Sequence, residues 1–77
     1  MWTEKDGKLE QTFKFKDFSE AFAFITRVAL VAESMQHHPD WSNSYNQVKI
    51  TLVTHNAGNK ITEKDHQLAE AIDKISH

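Results

Sequence analysis

Cysteine is absent from this chain of 77 residues, and the residues that interrupt regular structure are reduced to two glycines and one proline. Without cysteine the protein can form no disulfide, thiolate nucleophile or Cys-ligated zinc site, which favours a reducing compartment. The short length predicts one domain spanning residues 1–77. A chain of this size cannot bury a large core without association with other chains.

Runs of positive charge and long apolar runs are missing as well. Nine Lys and Arg against eleven Asp and Glu give a formal net charge of −2, so the basic footprint of a nucleic-acid-binding protein is lacking. No apolar run approaches the roughly 20 residues that cross a membrane, and the N-terminus has no hydrophobic signal-peptide region. We therefore expect a cytoplasmic protein with no direct nucleic-acid partner and no membrane partner.

Two hairpins are predicted by turn residues between stretches of alternating polarity. Asp6-Gly7 is a favoured two-residue turn, and Asn46 marks a second one. In the first hairpin Leu9 and Phe13 alternate with polar residues, which is typical of a half-buried strand. The predicted strands are residues 2–5, 8–15, 41–45 and 47–54.

Two helices are predicted by capping boxes. Asp17 with Glu20 starts a helix that runs to about Gln36, before Pro39 disfavours helical backbone. Thr62 with Asp65 starts a second helix, which follows a loop at residues 57–60. The predicted fold is α+β, a two-layer ββαββα arrangement with two helices on one face of a four-stranded antiparallel sheet.

The first predicted helix carries more apolar surface than a sheet requires. One stripe consists of Phe18, Phe22, Ile25, Ala29 and Ala32. A second, with the spacing of a helix seam, consists of Phe24, Val28, Val31 and Met35. We expect the second stripe to be an interface between copies of the chain, because one stripe is enough to cover the sheet.

A constellation of titratable residues occupies the centre of the chain. Its order is Glu33, three spacers, His37-His38-Pro39, and then Tyr45, His55 and Asp65. Imidazole has an unperturbed pKa of about 6.5, so both of its protonation states are populated near neutrality. If the helix persists to His37, the i,i+4 spacing lets the Glu33 carboxylate orient that ring. The constellation indicates acid–base chemistry.

This pattern resembles that of the pterin-4a-carbinolamine dehydratase family. The family motif is an acidic residue, three spacers, His-His-Pro, an aromatic after five residues, His after nine more, and a downstream Asp. Residues 15–18, 26–30 and 48–52 are also similar to family segments, so the resemblance covers nearly the whole chain. Relatives usually carry a helical segment before the tryptophan that is Trp2 here, and we expect this chain to be a short form.

The resemblance implies an enzyme, a hydro-lyase that converts 4a-hydroxytetrahydropterin to quinonoid dihydropterin and water. This reaction recycles the tetrahydrobiopterin cofactor of aromatic amino acid hydroxylases and requires neither a metal nor a redox cofactor. By the same resemblance His37 and His55 are general acids, and His38 binds the pterin and can act as base. Glu33, Asp65 and Trp2 are expected to contribute to substrate binding.

Structural roles remain open for several of these residues. Glu33 and His37 could be an exposed ion pair, His38 a solvated residue before proline, and His55 a polar strand end. Asp65 could cap its own helix as readily as join the site, and Trp2 could simply pack in an edge strand. A zinc site built from Glu33, His37 and His55 is conceivable by ligand type, but no metal-binding pattern supports it.

Other functions are kept beside the enzyme. Animal relatives also act as dimerisation cofactors of a homeodomain transcription factor, so a non-catalytic binding module is the main alternative. A scaffold or assembly role is a third. The resemblance further implies a homo-oligomer, a dimer or a tetramer built as a dimer of dimers, with a possible protein partner on the helix face.

Overall fold

The computed structural model describes residues 1–76 and confirms the predicted α+β class and ββαββα order. The strands are β1 (Thr3–Lys5), β2 (Lys8–Lys14), β3 (Asp40–Ser44) and β4 (Gln47–Leu52). The helices are α1 (Phe18–Met35) and α2 (Glu63–Ile75), with one 3₁₀ turn at His55–Ala57 between β4 and α2. All pairings are antiparallel, in the order β1-β2-β4-β3, so β4 is a central strand.

The first hairpin turn and the two helix caps lie where the sequence predicts them. Asp6 and Gly7 both have positive φ, 53° and 76°, as a tight hairpin turn between right-twisted strands requires. The Asp17 carboxylate accepts from the Glu20 amide at 2.9 Å and caps α1. A capping box between Thr62 and Asp65 starts α2.

The two faces of the sheet differ in polarity because side chains alternate along each strand. The buried residues on the helix-covered face are Leu9, Gln11, Val48, Ile50 and Leu52. The opposite face is polar and carries the ion pair between Lys49 and Glu10, with Nζ and Oε2 3.4 Å apart. The core therefore lies between the sheet and the two helices.

The apolar surface of α1 is divided differently from the prediction. Phe24 and Val28, which we assigned to an interface stripe, are buried in the core, and Val31 and Met35 pack against it. The Phe24 ring lies 4.8 Å from that of Phe13. The predicted interface stripe is therefore wrong, because the neighbouring helix α2 and the rings of Phe13 and Phe15 cover this side of α1.

The outward side of α1 is apolar instead. Phe18, Phe22 and Leu30 are 48%, 56% and 68% exposed, and we call these three residues the apolar outer face. The rings of Phe18 and Phe22 stack with centroids 5.9 Å apart. Two of the three come from the stripe that was expected to cover the sheet.

Tyr45, predicted to be the last residue of the third strand, lies beyond that strand. It lies in the turn between β3 and β4, with a φ of 50° and 65% of its surface exposed. The Asn43 amide donates to the backbone carbonyls of Tyr45 and Gln47 and holds this turn. The aromatic position of the motif therefore shapes a turn in this chain.

Candidate active site

A cleft of about 230 Å³ forms where the C-terminal end of α1, the end of β4 and the N-terminal end of α2 meet. Its lining residues are Gln36, His37, His38, Val53, Thr54, His55, Asn56 and Lys64. Three predicted site histidines are thus brought together, although His55 is 17 residues beyond His38 in the chain. The cleft opens at the end of a central strand, so side chains from three segments converge on it.

The end of α1 separates the two adjacent histidines. Gln36 has the left-handed conformation, with φ 53° and ψ 40°, and the His37 amide donates to the Ala32 carbonyl at 3.1 Å. This is the hydrogen-bond pattern that ends many helices, usually with glycine at the left-handed position. Because α1 stops at Met35, His37 and His38 leave the helix in different directions.

His37 pairs with a buried carboxylate from α2. Its Nε2 lies 2.6 Å from Oδ1 of Asp65, and the two side chains are 11% and 0% exposed. An ionised carboxylate only accepts hydrogen bonds, so the ring nitrogen donates to it. His37 therefore presents Nδ1 as its remaining nitrogen for proton transfer.

Asp65 caps its own helix, as one of the two interpretations of the sequence expected, and it also contacts His37. Its Oδ2 accepts from the Thr62 amide at 2.9 Å, which caps α2, and from the Thr54 hydroxyl at 2.7 Å. Burial alone raises the pKa of the Asp65 carboxyl, but the hydrogen bonds from His37, Thr62 and Thr54 outweigh burial and hold this pKa below its ordinary value. The carboxylate therefore stays ionised beside His37.

Glu33 pairs with His38, which corrects the predicted pairing with His37. Oε1 of Glu33 lies 2.7 Å from Nε2 of His38, and the side chains are 70% and 59% exposed. The i,i+4 relation to His37 holds only within a continuous helix, and α1 ends two residues before His37. Glu33 thus orients the exposed histidine of the pair.

His55 is held by the loop that follows it. Its Nδ1 lies 2.9 Å from Oδ1 of Asn59, which accepts the ring N–H and leaves Nε2 free. Asn59 itself has a φ of 59°, in the left-handed region that asparagine tolerates better than most residues. His55 starts the 3₁₀ turn rather than extending β4.

Trp2 lies away from the cleft. Its indole Nε1 donates to Oδ1 of Asp73 at 3.0 Å, and the same oxygen accepts from the buried Gln11 amide at 3.2 Å. Asp73 is eight residues beyond Asp65 on α2, about 12 Å along the helix axis. Within one chain, Trp2 fastens the first hairpin to α2 and does not line the histidine cleft.

Sequence reasoning did not identify several residues of the site. Thr54 and Asn59 hydrogen-bond to Asp65 and His55, and Gln36 and Lys64 line the cleft. A threonine after a strand and a glutamine after a helix carry no distinctive spacing. Only Thr62, already expected as a cap, gave a signal in the sequence.

The three residues of the alternative zinc site, Glu33, His37 and His55, do not come together in the described part of the chain. Residues 1–76 contain no group of three or more His, Asp or Glu side chains placed to hold a metal ion. Glu33 points to His38, whereas His37 points to Asp65.

Within residues 1–76, neither helix is long and apolar enough to cross a membrane.

Fold and cleft together define a small two-layer α+β protein whose clustered imidazoles are suited to proton transfer. The family model for pterin 4 alpha carbinolamine dehydratase matches residues 1–75. The chain belongs to this family.

Sequence relatives agree with that assignment. A Synechococcus protein (strain WH7803) is 57% identical over 74 residues, which are 96% of this chain and 78% of the relative. A Rhodospirillum rubrum protein is also 57% identical, over 76 residues, with the same coverage. Both are provisionally named pterin-4-alpha-carbinolamine dehydratases.

Two solved structures share the fold. A transcriptional coactivator/pterin dehydratase from Brucella melitensis superposes with a TM-score of 0.92 and 44% identity, covering 99% of this chain and 82% of its own. A pterin dehydratase-like protein described as a RuBisCO assembly factor of the alpha-carboxysome superposes with a TM-score of 0.79, covering 99% and 87%. At 22% identity the second shows likeness of fold alone.

Proposed function

We propose that this protein dehydrates 4a-hydroxytetrahydropterin to quinonoid dihydropterin and water, in recycling of the tetrahydrobiopterin cofactor of aromatic amino acid hydroxylases. The observation that carries the proposal is the cleft in which three histidines each have one ring nitrogen held by an acceptor. Each ring thereby offers its other nitrogen for proton transfer. The family to which the chain belongs supports the choice of substrate.

The reaction needs one acid and one base, and no change of oxidation state. The carbon–oxygen bond at C4a breaks as an acid protonates the leaving hydroxyl group. The lone pair of the adjacent nitrogen forms the new carbon–nitrogen double bond, and a base removes the proton from that nitrogen. A positioned acid or base typically contributes about 10²–10⁴-fold to the rate.

The roles of the histidines follow from their surroundings. His37 is the general acid. In its doubly protonated form Nδ1 delivers a proton to the leaving hydroxyl, and the neutral ring that remains keeps its proton on Nε2, where it donates to the ionised Asp65. His55 is a second general acid acting through Nε2. His38, more exposed and paired with Glu33, binds the pterin and can serve as base. Asp65 and Glu33 position these rings.

A coupled hydroxylase assay tests the proposal directly. The carbinolamine absorbance should decay faster with this protein than without it, and faster than with the His37→Ala, His55→Ala double variant. His66→Ala is the matched control, because His66 is exposed on α2 and does not line the cleft. Activity should survive treatment with EDTA. Activity that EDTA abolishes and zinc restores would contradict acid–base catalysis by histidine alone.

We further propose that the protein works as a homo-oligomer, a dimer or a tetramer, in the cytoplasm. The apolar outer face of α1 supports association, since three large apolar side chains lie in contact with solvent on one helix. A chain of this size also gains buried area by association.

A charge in the apolar outer face should disrupt that oligomer. Phe22→Glu should give a smaller species by light scattering at tens of micromolar, whereas Thr12→Glu, on the polar face of the sheet, should not. A monomeric wild type would contradict the oligomer. If the wild type associated through Phe22 but left the carbinolamine unchanged, the alternative function, a non-catalytic protein-binding module, would replace the enzyme.

A further inference from the structure

Thr54 lies between the two histidine-bearing sides of the cleft. It lies two residues beyond the end of β4, precedes His55, and is 4% exposed. Its hydroxyl contacts two side chains, with Oγ1 2.7 Å from Oδ2 of Asp65 and 2.7 Å from Oγ1 of Thr62. The catalytic roles proposed above do not use this buried hydroxyl.

The direction of these hydrogen bonds is fixed by counting donors. The single Thr54 hydroxyl proton goes to Asp65, since the carboxylate can only accept. Thr54 therefore accepts the Thr62 hydroxyl proton, while the Thr62 oxygen accepts from the Lys64 amide at 3.3 Å. The result is a one-way chain that runs from Lys64 through Thr62 and Thr54 to Asp65.

This chain decides which oxygen of Asp65 is available to His37. Oδ2 accepts from Thr54 and from the Thr62 amide, so Oδ1 faces His37 at 2.6 Å. With Oδ1 as acceptor, the His37 proton is held on Nε2 and the cleft receives Nδ1. Without the Thr54 hydroxyl, Oδ2 loses a donor and the carboxylate is held less firmly.

We propose that Thr54 is a positioning residue for His37, acting through Asp65 to hold the ring in the Nε2–H tautomer. The role is separable from folding, because the Thr54 backbone is held independently. Its amide donates to the Lys60 carbonyl at 2.9 Å, and its carbonyl accepts from the Lys60 amide at 3.3 Å. Replacing only the hydroxyl leaves both bonds in place.

The test compares Thr54→Val, which replaces the hydroxyl with a methyl group, and Thr54→Ser, which keeps it. Thr51→Val is the matched control, since Thr51 is a nearby threonine in β4 that faces the polar side of the sheet. Nitrogen-15 NMR of the histidine rings in their neutral form should show His37 as Nε2–H in the wild type, Thr54→Ser and Thr51→Val. Thr54→Val should give a mixture of tautomers.

Turnover gives the second readout and rests on the proposed function. Losing a hydrogen bond to a charged group should lower kcat about tenfold in Thr54→Val, with KM changed less than about twofold. Thr54→Ser should recover most of kcat. A folded Thr54→Val protein with the wild-type tautomer would overturn the proposal, as would a loss of kcat that merely follows the unfolded fraction. An inactive wild type would refute the dehydratase function, while the NMR result would still decide the role of Thr54.

Discussion

His37 and His38 are adjacent in the chain, and each pairs with a carboxylate at nearly the same distance, yet their surroundings differ. The His37–Asp65 pair is 11% and 0% exposed, and Asp65 accepts two further hydrogen bonds. The His38–Glu33 pair is 59% and 70% exposed. Exposed pairs contribute about 0–1 kcal/mol, whereas breaking a buried pair costs several. Distance alone therefore does not rank the two pairs.

Removal of each imidazole should give the largest difference. His37→Ala should lower kcat by about 10²–10⁴-fold, because a positioned acid is lost, whereas His38→Ala should mainly raise KM. His55→Ala should resemble His37→Ala, and the double variant should be far worse than either. Steady-state kinetics on the carbinolamine measure all four. Near wild-type kinetics in all three single variants would refute the site assignment.

Removal of each carboxylate should show that the two pairs contribute differently to the free energy of unfolding. Asp65→Ala should lower the free energy of unfolding by about 3–5 kcal/mol, since it leaves buried donors of Thr54, Thr62 and His37 unpaired. Glu33→Ala should cost less than about 1 kcal/mol. Urea titration followed by circular dichroism measures both values. Asp65→Asn, which keeps the shape, serves if the alanine variant does not fold. Equal losses from Asp65→Asn and Glu33→Ala would contradict the distinction between the pairs.

Acid should remove the contribution of Asp65. Its folded-state pKa is below the ordinary value, so its ionisation adds stability that is fully present above the unfolded pKa of about 3.9. That stability is lost as pH falls through the lower, folded-state pKa. The difference in unfolding free energy between wild type and Asp65→Asn should be constant above about pH 5 and shrink below about pH 4. A difference that grows on acidification would show that the pKa is raised instead.

A change in salt concentration should give the smallest of these effects, and only the exposed His38–Glu33 pair should respond to it. Glu33→Gln should raise KM by about two- to fivefold at low ionic strength, corresponding to a pair worth up to about 1 kcal/mol. Because exposed charges are screened within about 3 Å at 1 M salt, the difference from wild type should then disappear. A salt-independent effect would mean that Glu33 acts by direct contact with the substrate.

The features that the sequence predicts differ from those that it does not predict in how far apart along the chain the contacting residues lie. The turn at Asp6-Gly7 and the caps at Asp17 and Thr62 follow from contacts within three residues. The Glu33–His37 pairing was wrong although its spacing was right, because it assumed a helix that Gln36 ends. The two apolar stripes of α1 were partly assigned to the wrong environments. Both consist of apolar residues, so the sequence does not distinguish them, and only packing shows which residues are buried.

Local sequence patterns predicted the element order, the hairpin turns, the helix caps and the set of histidines at two junctions, because each depends on local backbone and side-chain chemistry. The partner of His37 depends on the tertiary structure, whereas His38 and His55 pair with residues within five positions in the chain. Asp65 reaches His37 across 28 residues of chain, and Thr54 reaches Asp65 across 11. The tertiary structure also placed Trp2 against Asp73, 71 residues away and outside the cleft. Such contacts depend on how α2 packs against α1 and against the strands, a relation that no local spacing specifies.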